Sequence, residues 1–154
     1  MKLGEMVNLL REHELALVEL YSVFARRVSG HSDFWTRLAT EERAYAEVLK
    51  MLNDRMALSL SEFEGRPFTA EGVKSSIQYV RSRTDAALSE EISHLRALAA
   101  AADLERTVIE REFFKVFASD SQEIRNEFRA LEEHTLEHRR RIEEALAVER
   151  SGQS

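Results

Sequence analysis

The sequence predicts an all-α protein built as a four-helix bundle, and three observations support this prediction. Apolar residues recur at intervals of three and four along four long stretches, which is the period of an amphipathic helix. One proline and five glycines in 154 residues leave few positions that interrupt a helix. The proline, Pro67, lies in a long segment between the second and third stretches, and a long connection of this kind joins parallel helices.

The first helix pair is predicted in the N-terminal third of the chain. The apolar period indicates one helix over residues 3–28 and a second over residues 32–53. Between them, Gly30 is the expected stop signal of the first helix. Ser32 or Asp33 is the expected N-cap of the second.

The crossover is predicted over about residues 54–88, and its second part is expected to form an accessory helix. Thr69 resembles an N-cap for that helix. Val73, Ile77 and Val80 then continue an apolar stripe. The sequence therefore predicts a connection with its own apolar surface.

The second helix pair is predicted in the C-terminal half. A third core helix is expected over residues 89–117, and a fourth over residues 121–148 after the capping cluster at 119–121. The last four residues, 151–154, are expected to be a disordered tail. All four helices are assigned to one domain over residues 1–150, because a chain of this length can bury a substantial core.

Composition excludes several classes of function. The net charge of -6 argues against a nucleic-acid-binding surface, since phosphate contacts need clustered Lys and Arg. The chain has no cysteine, which excludes disulfides, thiol nucleophiles and thiolate metal sites. No stretch approaches the roughly 20 apolar residues of a membrane span, and the N-terminus does not resemble a secretory signal. We therefore expect a cytoplasmic protein.

Two stretches nearly match a helical metal-binding motif. A Glu followed three residues later by a His presents a carboxylate and an imidazole on one helix face, as in the cores of metal-binding bundles. Glu42 is followed at this spacing by Tyr45. His138 is preceded at the same spacing by Thr135. Each stretch therefore has one of the two ligands.

Together these features resemble the ferritin-like superfamily, and specifically its rubrerythrin-like branch without a rubredoxin domain. The resemblance covers nearly the whole chain, and it rests on Glu14 and Tyr21, Phe34 and Trp35, the run 38–42, Leu104 and Glu105, and His138. It implies a ferritin-like bundle whose intact members bind two irons that react with oxygen or peroxide. Carried over by position, it implies the metal ligands Glu14, Glu42, Glu105 and His138.

The chain departs from the family pattern at Tyr45, where a His belongs, and at Thr135, where a bridging Glu belongs. A neutral hydroxyl neither bridges two cations nor balances their charge. Three alternatives for the site follow: two metal ions, one ion of iron or manganese, or a metal-free cluster of protonated or paired carboxylates. Fewer than two ions are expected. Glu112 shares the apolar stripe of the third helix and is the alternative to Glu105.

The remaining histidines are weaker candidates. His134 lies four residues before His138 and forms an alternative pair on one helix face. His13 is interpreted as a polar residue at the boundary of the core. His31 is expected to be exposed in the first interhelical turn, and His94 to lie away from the site.

Two functions follow from these observations. The first is a rubrerythrin-like protein with a degenerate metal site, which is not a full di-iron enzyme and acts through its surface. The alternative is an iron- or manganese-binding oxidoreductase, peroxide scavenger or metal-handling protein with a reduced ligand set. The resemblance implies a homodimer in either case, and the composition predicts neither nucleic acid nor membrane as a partner.

Overall fold

In the computed structural model the described residues are 1–55, 62–117 and 122–152, and they confirm the all-α prediction. The one β pairing among them is an isolated bridge between Lys2 and Glu62. The helices are α1 (Leu3–Arg27), α2 (Ser32–Arg55), α3 (Ala70–Ser89), α4 (His94–Glu105), α5 (Val108–Glu112), a 3-10 segment (Phe113–Phe117) and α6 (Gln122–Ser151).

The chain divides into two compact units, unit 1 over Met1–Ile92 and unit 2 over Ser93–Ser154. Unit 1 contains α1, α2 and α3, and unit 2 contains α4, α5, the 3-10 segment and α6. The assignment of residues 1–150 to a single domain stays a prediction. No helix within the described ranges is both long enough and apolar enough to cross a membrane.

Unit 1 is organised around α1, which packs against both α2 and α3. At the α1–α2 contact the Trp35 ring lies 4.8 Å from that of Phe24 and 5.7 Å from that of Tyr21, measured between centroids. All three rings are buried. Aromatic contacts of this kind add to the free energy gained by burying apolar surface. They hold the two helices together near the turn that joins them.

The turn between α1 and α2 depends on Gly30, as predicted. α1 ends at Arg27, and Gly30 has φ +80°, a left-handed conformation that residues with a Cβ disfavour. The expectation that Ser32 or Asp33 caps α2 is wrong by a residue or more. α2 already begins at Ser32, and the Trp35 N–H donates to the carbonyl of His31 at 3.3 Å. Both expected caps therefore lie in the first helical turn.

The described part of the crossover contacts the N-terminus and then forms α3. The Phe63 N–H donates to the Met1 carbonyl at 2.9 Å, and Lys2 pairs with Glu62. Residues 56–61 of the predicted crossover lie outside the described residues. The predicted cap is confirmed, because the Thr69 hydroxyl accepts a hydrogen bond from the Gly72 N–H at 3.0 Å. α3 buries its apolar stripe against α1 and is the third helix of unit 1.

The prediction of one continuous helix over residues 89–117 is wrong. Glu90 is extended, and α4 starts only after Ser93, whose hydroxyl accepts from the Arg96 N–H at 3.1 Å. α4 ends at Glu105, and Thr107 is again extended. Its hydroxyl accepts from the Glu110 N–H at 3.3 Å and starts α5. Ser and Thr hydroxyls compete with the helical backbone in this way, and the apolar period alone does not reveal it.

α6 packs against α4 and is the longest helix of unit 2. Its predicted first residue, Ser121, and the capping cluster before it lie outside the described residues. The helix extends three residues beyond the predicted end at Val148, to Ser151. Of the predicted disordered tail, Gln153 and Ser154 lie outside the described residues, whereas the Gly152 N–H still donates to the Val148 carbonyl at 2.7 Å.

The Gly30 turn provides a test of the first helix pair. A methyl group at this position would meet no atom within 4 Å, so Gly30→Ala should destabilise the protein through its backbone alone, by about 1 kcal/mol. Gly30→Asn should recover most of the loss, because Asn tolerates the left-handed conformation. Urea denaturation measures both values. Equal stability of the Ala variant and the wild type would contradict the assigned turn.

Candidate functional site

Two of the four predicted ligands meet inside unit 1. Glu14 lies on α1 and Glu42 on α2, and the side chains are 2% and 1% exposed. Because the two helices pack together, the two carboxyl groups lie close enough to interact by charge. Tyr45 follows Glu42 by one helical turn and is buried as well. The structure therefore places Glu14 and Glu42 together and puts a phenol at the position of the missing imidazole.

The Glu14 carboxyl is held largely in its protonated form. Burial and, to a smaller extent, the neighbouring Glu42 carboxyl together raise its pKa from 4.5 to about 8. His13 opposes these effects. At neutral pH one proton therefore resides at this carboxyl pair, which removes the repulsion that two buried carboxylates would otherwise have.

His13 is buried, and its assignment to the boundary of the core is wrong. Its side chain is fully covered, and its Nε2 lies 2.8 Å from the Ser76 hydroxyl of α3. Its Nδ1 lies 3.9 Å from Glu14 Oε1. The signal that was missed is the seven-residue spacing of Met6, His13 and Leu20, which all belong to the buried face. α3 covers this face, so His13 joins the polar residues of the core.

The other two predicted ligands meet inside unit 2. His138 Nε2 of α6 lies 3.8 Å from Glu105 Oε1 of α4, and both side chains are 1% exposed. Glu112, the alternative to Glu105, is instead partly exposed and pairs with Lys115. The choice of Glu105 is therefore favoured by its burial and by its proximity to His138.

Thr135, one turn before His138, makes its hydrogen bond within its own helix. It is buried one turn before His138, and its hydroxyl donates to the Leu131 carbonyl at 2.9 Å. A threonine hydroxyl is neutral, so it cannot offset the charge of a cation as a carboxylate does. The described side chains therefore do not fit an intact di-iron centre with four carboxylates and two imidazoles.

The burial of the other titratable side chains was predicted less well from the sequence. Glu110 of α5 is buried and was not among the predicted residues. It was missed because the new helix that begins after Thr107 changes which residues face inward. His134 is exposed although His138 is buried, which separates the two members of the alternative pair. His31, expected to be exposed, is partly exposed.

Comparisons of the chain with protein-family models, with curated proteins and with solved structures found no match.

The proton on Glu14 makes the free energy of unfolding depend on pH. Since the pKa is raised in the folded state, the stabilisation is fully present below about pH 4.5 and is lost as pH rises towards 8. We expect the free energy of unfolding to fall by up to about 1.4 kcal/mol per pH unit across this interval. Glu14→Gln should flatten this slope, because the amide stays neutral. Urea denaturation between pH 5 and 8 measures it.

Glu19→Gln is the matched control for this measurement, since Glu19 is an exposed residue of the same helix. Its slope should equal that of the wild type. An unchanged slope in Glu14→Gln would contradict the assignment of the proton to Glu14.

The Glu105 and His138 pair can be tested by a double-mutant cycle in metal-free protein. Removing either side chain leaves a buried polar group without its neighbour, so His138→Ala should cost about 3 kcal/mol. The double variant with Glu105→Gln should cost less than the sum of the single variants, with a coupling above about 1 kcal/mol. Chemical denaturation gives all three values. A loss under about 1 kcal/mol for His138→Ala would rule out a buried polar pair.

Proposed function

We propose that this chain is a ferritin-like helical protein of the rubrerythrin-like type whose metal site is degenerate, so that it does not act as a di-iron enzyme. The observation that carries the proposal is the Thr135 hydroxyl, which is bonded to the Leu131 carbonyl where a bridging carboxylate would be needed. The protein then acts through its helical surface, and a homodimer in the cytoplasm is the form that we expect.

The balance of charge supports the same proposal. Two ferrous ions need several carboxylates to offset their charge. The described candidates are Glu14, Glu42 and Glu105, and Glu14 is mostly protonated at neutral pH. Tyr45 contributes a phenol, which has an ordinary pKa of roughly 10 and binds ferrous iron weakly in its neutral form. A proton at Glu14 can therefore neutralise negative charge on the buried carboxyl groups that a metal ion neutralises in an intact site.

The order of the helices supports the ferritin-like part of the proposal. α1 and α2 are neighbours joined by a short turn, and α4 and α6 are neighbours in unit 2. A long segment that includes α3 separates the two pairs along the chain. Two helix pairs with one long connection is the helix order of a ferritin-like bundle.

The second candidate function is a metal-handling protein or oxidoreductase that binds iron or manganese with a reduced ligand set. The 3.8 Å approach of His138 Nε2 to Glu105 Oε1 favours it, because a buried imidazole and carboxylate suit these metals. One ion bound by such a set would carry open coordination positions, which oxygen species could occupy.

Metal content per chain distinguishes these functions, because no retained ion would favour the degenerate site and one retained ion would favour the reduced ligand set. The protein is loaded anaerobically with ferrous iron and separately with manganese, desalted, and measured by elemental mass spectrometry. We expect fewer than two ions per chain, because two ligand positions lack metal-binding groups. Retention of two ions per chain would contradict the proposal and favour a di-iron enzyme with unusual ligands.

Introducing the two missing ligand groups should increase the amount of metal that the chain retains. In the double variant Tyr45→His and Thr135→Glu, metal retention should rise above that of the wild type, because an imidazole and a carboxylate return to their motifs. Leu136→Glu adds the same carboxylate at a position that is 56% exposed and should change nothing. If the double variant folds but retains no more metal than the control, the family interpretation of the two motifs is wrong.

A further inference from the structure

The two long helices of unit 2 each carry a histidine and a glutamate at the same separation. On α4 these residues are His94 and Glu105, and on α6 they are His138 and Glu149, eleven residues apart in both cases. Eleven residues make about three helical turns, so the two side chains of each helix point to nearly the same side. When the helices run antiparallel, a register that joins Glu105 to His138 therefore also places His94 opposite Glu149.

The structure brings this second pair together. A ring nitrogen of His94 and a carboxylate oxygen of Glu149 lie within 4.8 Å of each other. The first pair, Glu105 and His138, lies at the other end of the same two helices, roughly 16 Å away along the helix axis at the usual rise per residue. His94 and Glu149 therefore form a cluster of their own.

From this pair we propose that unit 2 contains a zinc site in which His94 and Glu149 bind one ion between the first turn of α4 and the last turn of α6. The inference goes beyond the proposed function, because neither residue is a ligand position of the ferritin-like pattern. Water would complete the coordination of the ion, and the ion would join the ends of the two helices.

The backbone holds both ligands in place. His94 is the first residue of α4, directly after Ser93, whose hydroxyl accepts a hydrogen bond from a backbone N–H of the first turn at 3.1 Å. Glu149 belongs to the last turn of α6, where the Gly152 N–H donates to the Val148 carbonyl at 2.7 Å. Ligands on packed helices are positioned more precisely than ligands on loops.

The separation of the two groups suits one zinc ion. Zinc bonds to imidazole nitrogen and carboxylate oxygen are about 2.0–2.2 Å long, so two ligands of a tetrahedral ion lie about 3.4 Å apart. His94 and Glu149 lie within 4.8 Å. Glu149 is partly exposed, so rotation about its side-chain bonds can close the remaining distance.

The chemistry of the pair selects the ion. An imidazole with a carboxylate suits zinc better than calcium or magnesium, which prefer oxygen ligands. His94 also lies at the positive end of α4, which favours the uncharged imidazole that binds metals over the cationic form. Without a metal the two groups can instead share a hydrogen bond or form an ion pair, and a zinc titration distinguishes these states.

Zinc(II) is the probe, and the histidine ring resonances in nitrogen-15 spectra of the full chain are the readout. Single variants assign the five histidines. We expect zinc to shift the His94 resonances in the wild type. In Glu149→Gln the same shift should need at least 10-fold more zinc, because the amide keeps the size of the side chain and loses its charge.

Glu144→Gln is the matched control. Glu144 is a glutamate of the same helix whose side chain is 61% exposed. Its removal changes the net charge by the same amount away from His94, so the zinc titration of His94 should equal that of the wild type. Circular dichroism verifies that both variants are folded.

Urea denaturation gives a second readout. Zinc should stabilise the wild type, because an ion that binds only the folded chain shifts the equilibrium towards it. His94→Gln should lose this effect. His138→Gln should keep it, since that histidine belongs to the buried pair at the other end of the helices.

The outcomes separate this proposal from the proposed function. An unshifted His94 in the presence of zinc, or equal titrations in Glu149→Gln and the wild type, would overturn the zinc site and leave the degenerate-site function standing. An ion with two protein ligands exchanges with solvent and is removed by desalting, so it does not count towards the retained metal. Two ions retained after desalting would contradict the proposed function and leave the His94 titration unaffected.

Discussion

The contact of α1 with two helices at once is the constraint on which the chemistry of unit 1 depends. Successive residues of a helix point about 100° apart, so adjacent side chains are both buried only where the helix is covered over a wide arc. α2 covers the side of Glu14, and α3 covers the side of His13. The same packing that buries aromatic rings near the turn therefore also buries an imidazole and two carboxyl groups.

Burial then determines the state of those groups. A carboxylate that is removed from water and placed beside a second one is stabilised by a proton or by a cation. Glu14 is raised to a pKa of about 8, which places this choice near physiological pH. The proton on this carboxyl pair therefore makes the stability of the fold depend on pH.

Unit 2 buries a hydroxyl, and not a carboxylate, one helical turn before its buried histidine. Thr135 occupies the buried face of α6 one turn before His138, where a longer carboxylate side chain would extend beyond the helix. The shorter hydroxyl bonds to its own backbone instead, through Leu131. Thr135 therefore packs within the buried face of the helix and supplies no charge there.

The sequence by itself determined the helical class, the turn at Gly30, the cap at Thr69 and the burial of Glu14, Glu42, Glu105 and His138. These features depend on local chemistry and on the period of apolar residues, which a helix displays before it packs. Only the tertiary structure decided that the third long helix ends at Glu105, because the Thr107 hydroxyl competes with the helical backbone. The burial of His13 and the proton on Glu14 were also decided there, since they depend on which helix covers each face, and a linear period does not carry that information.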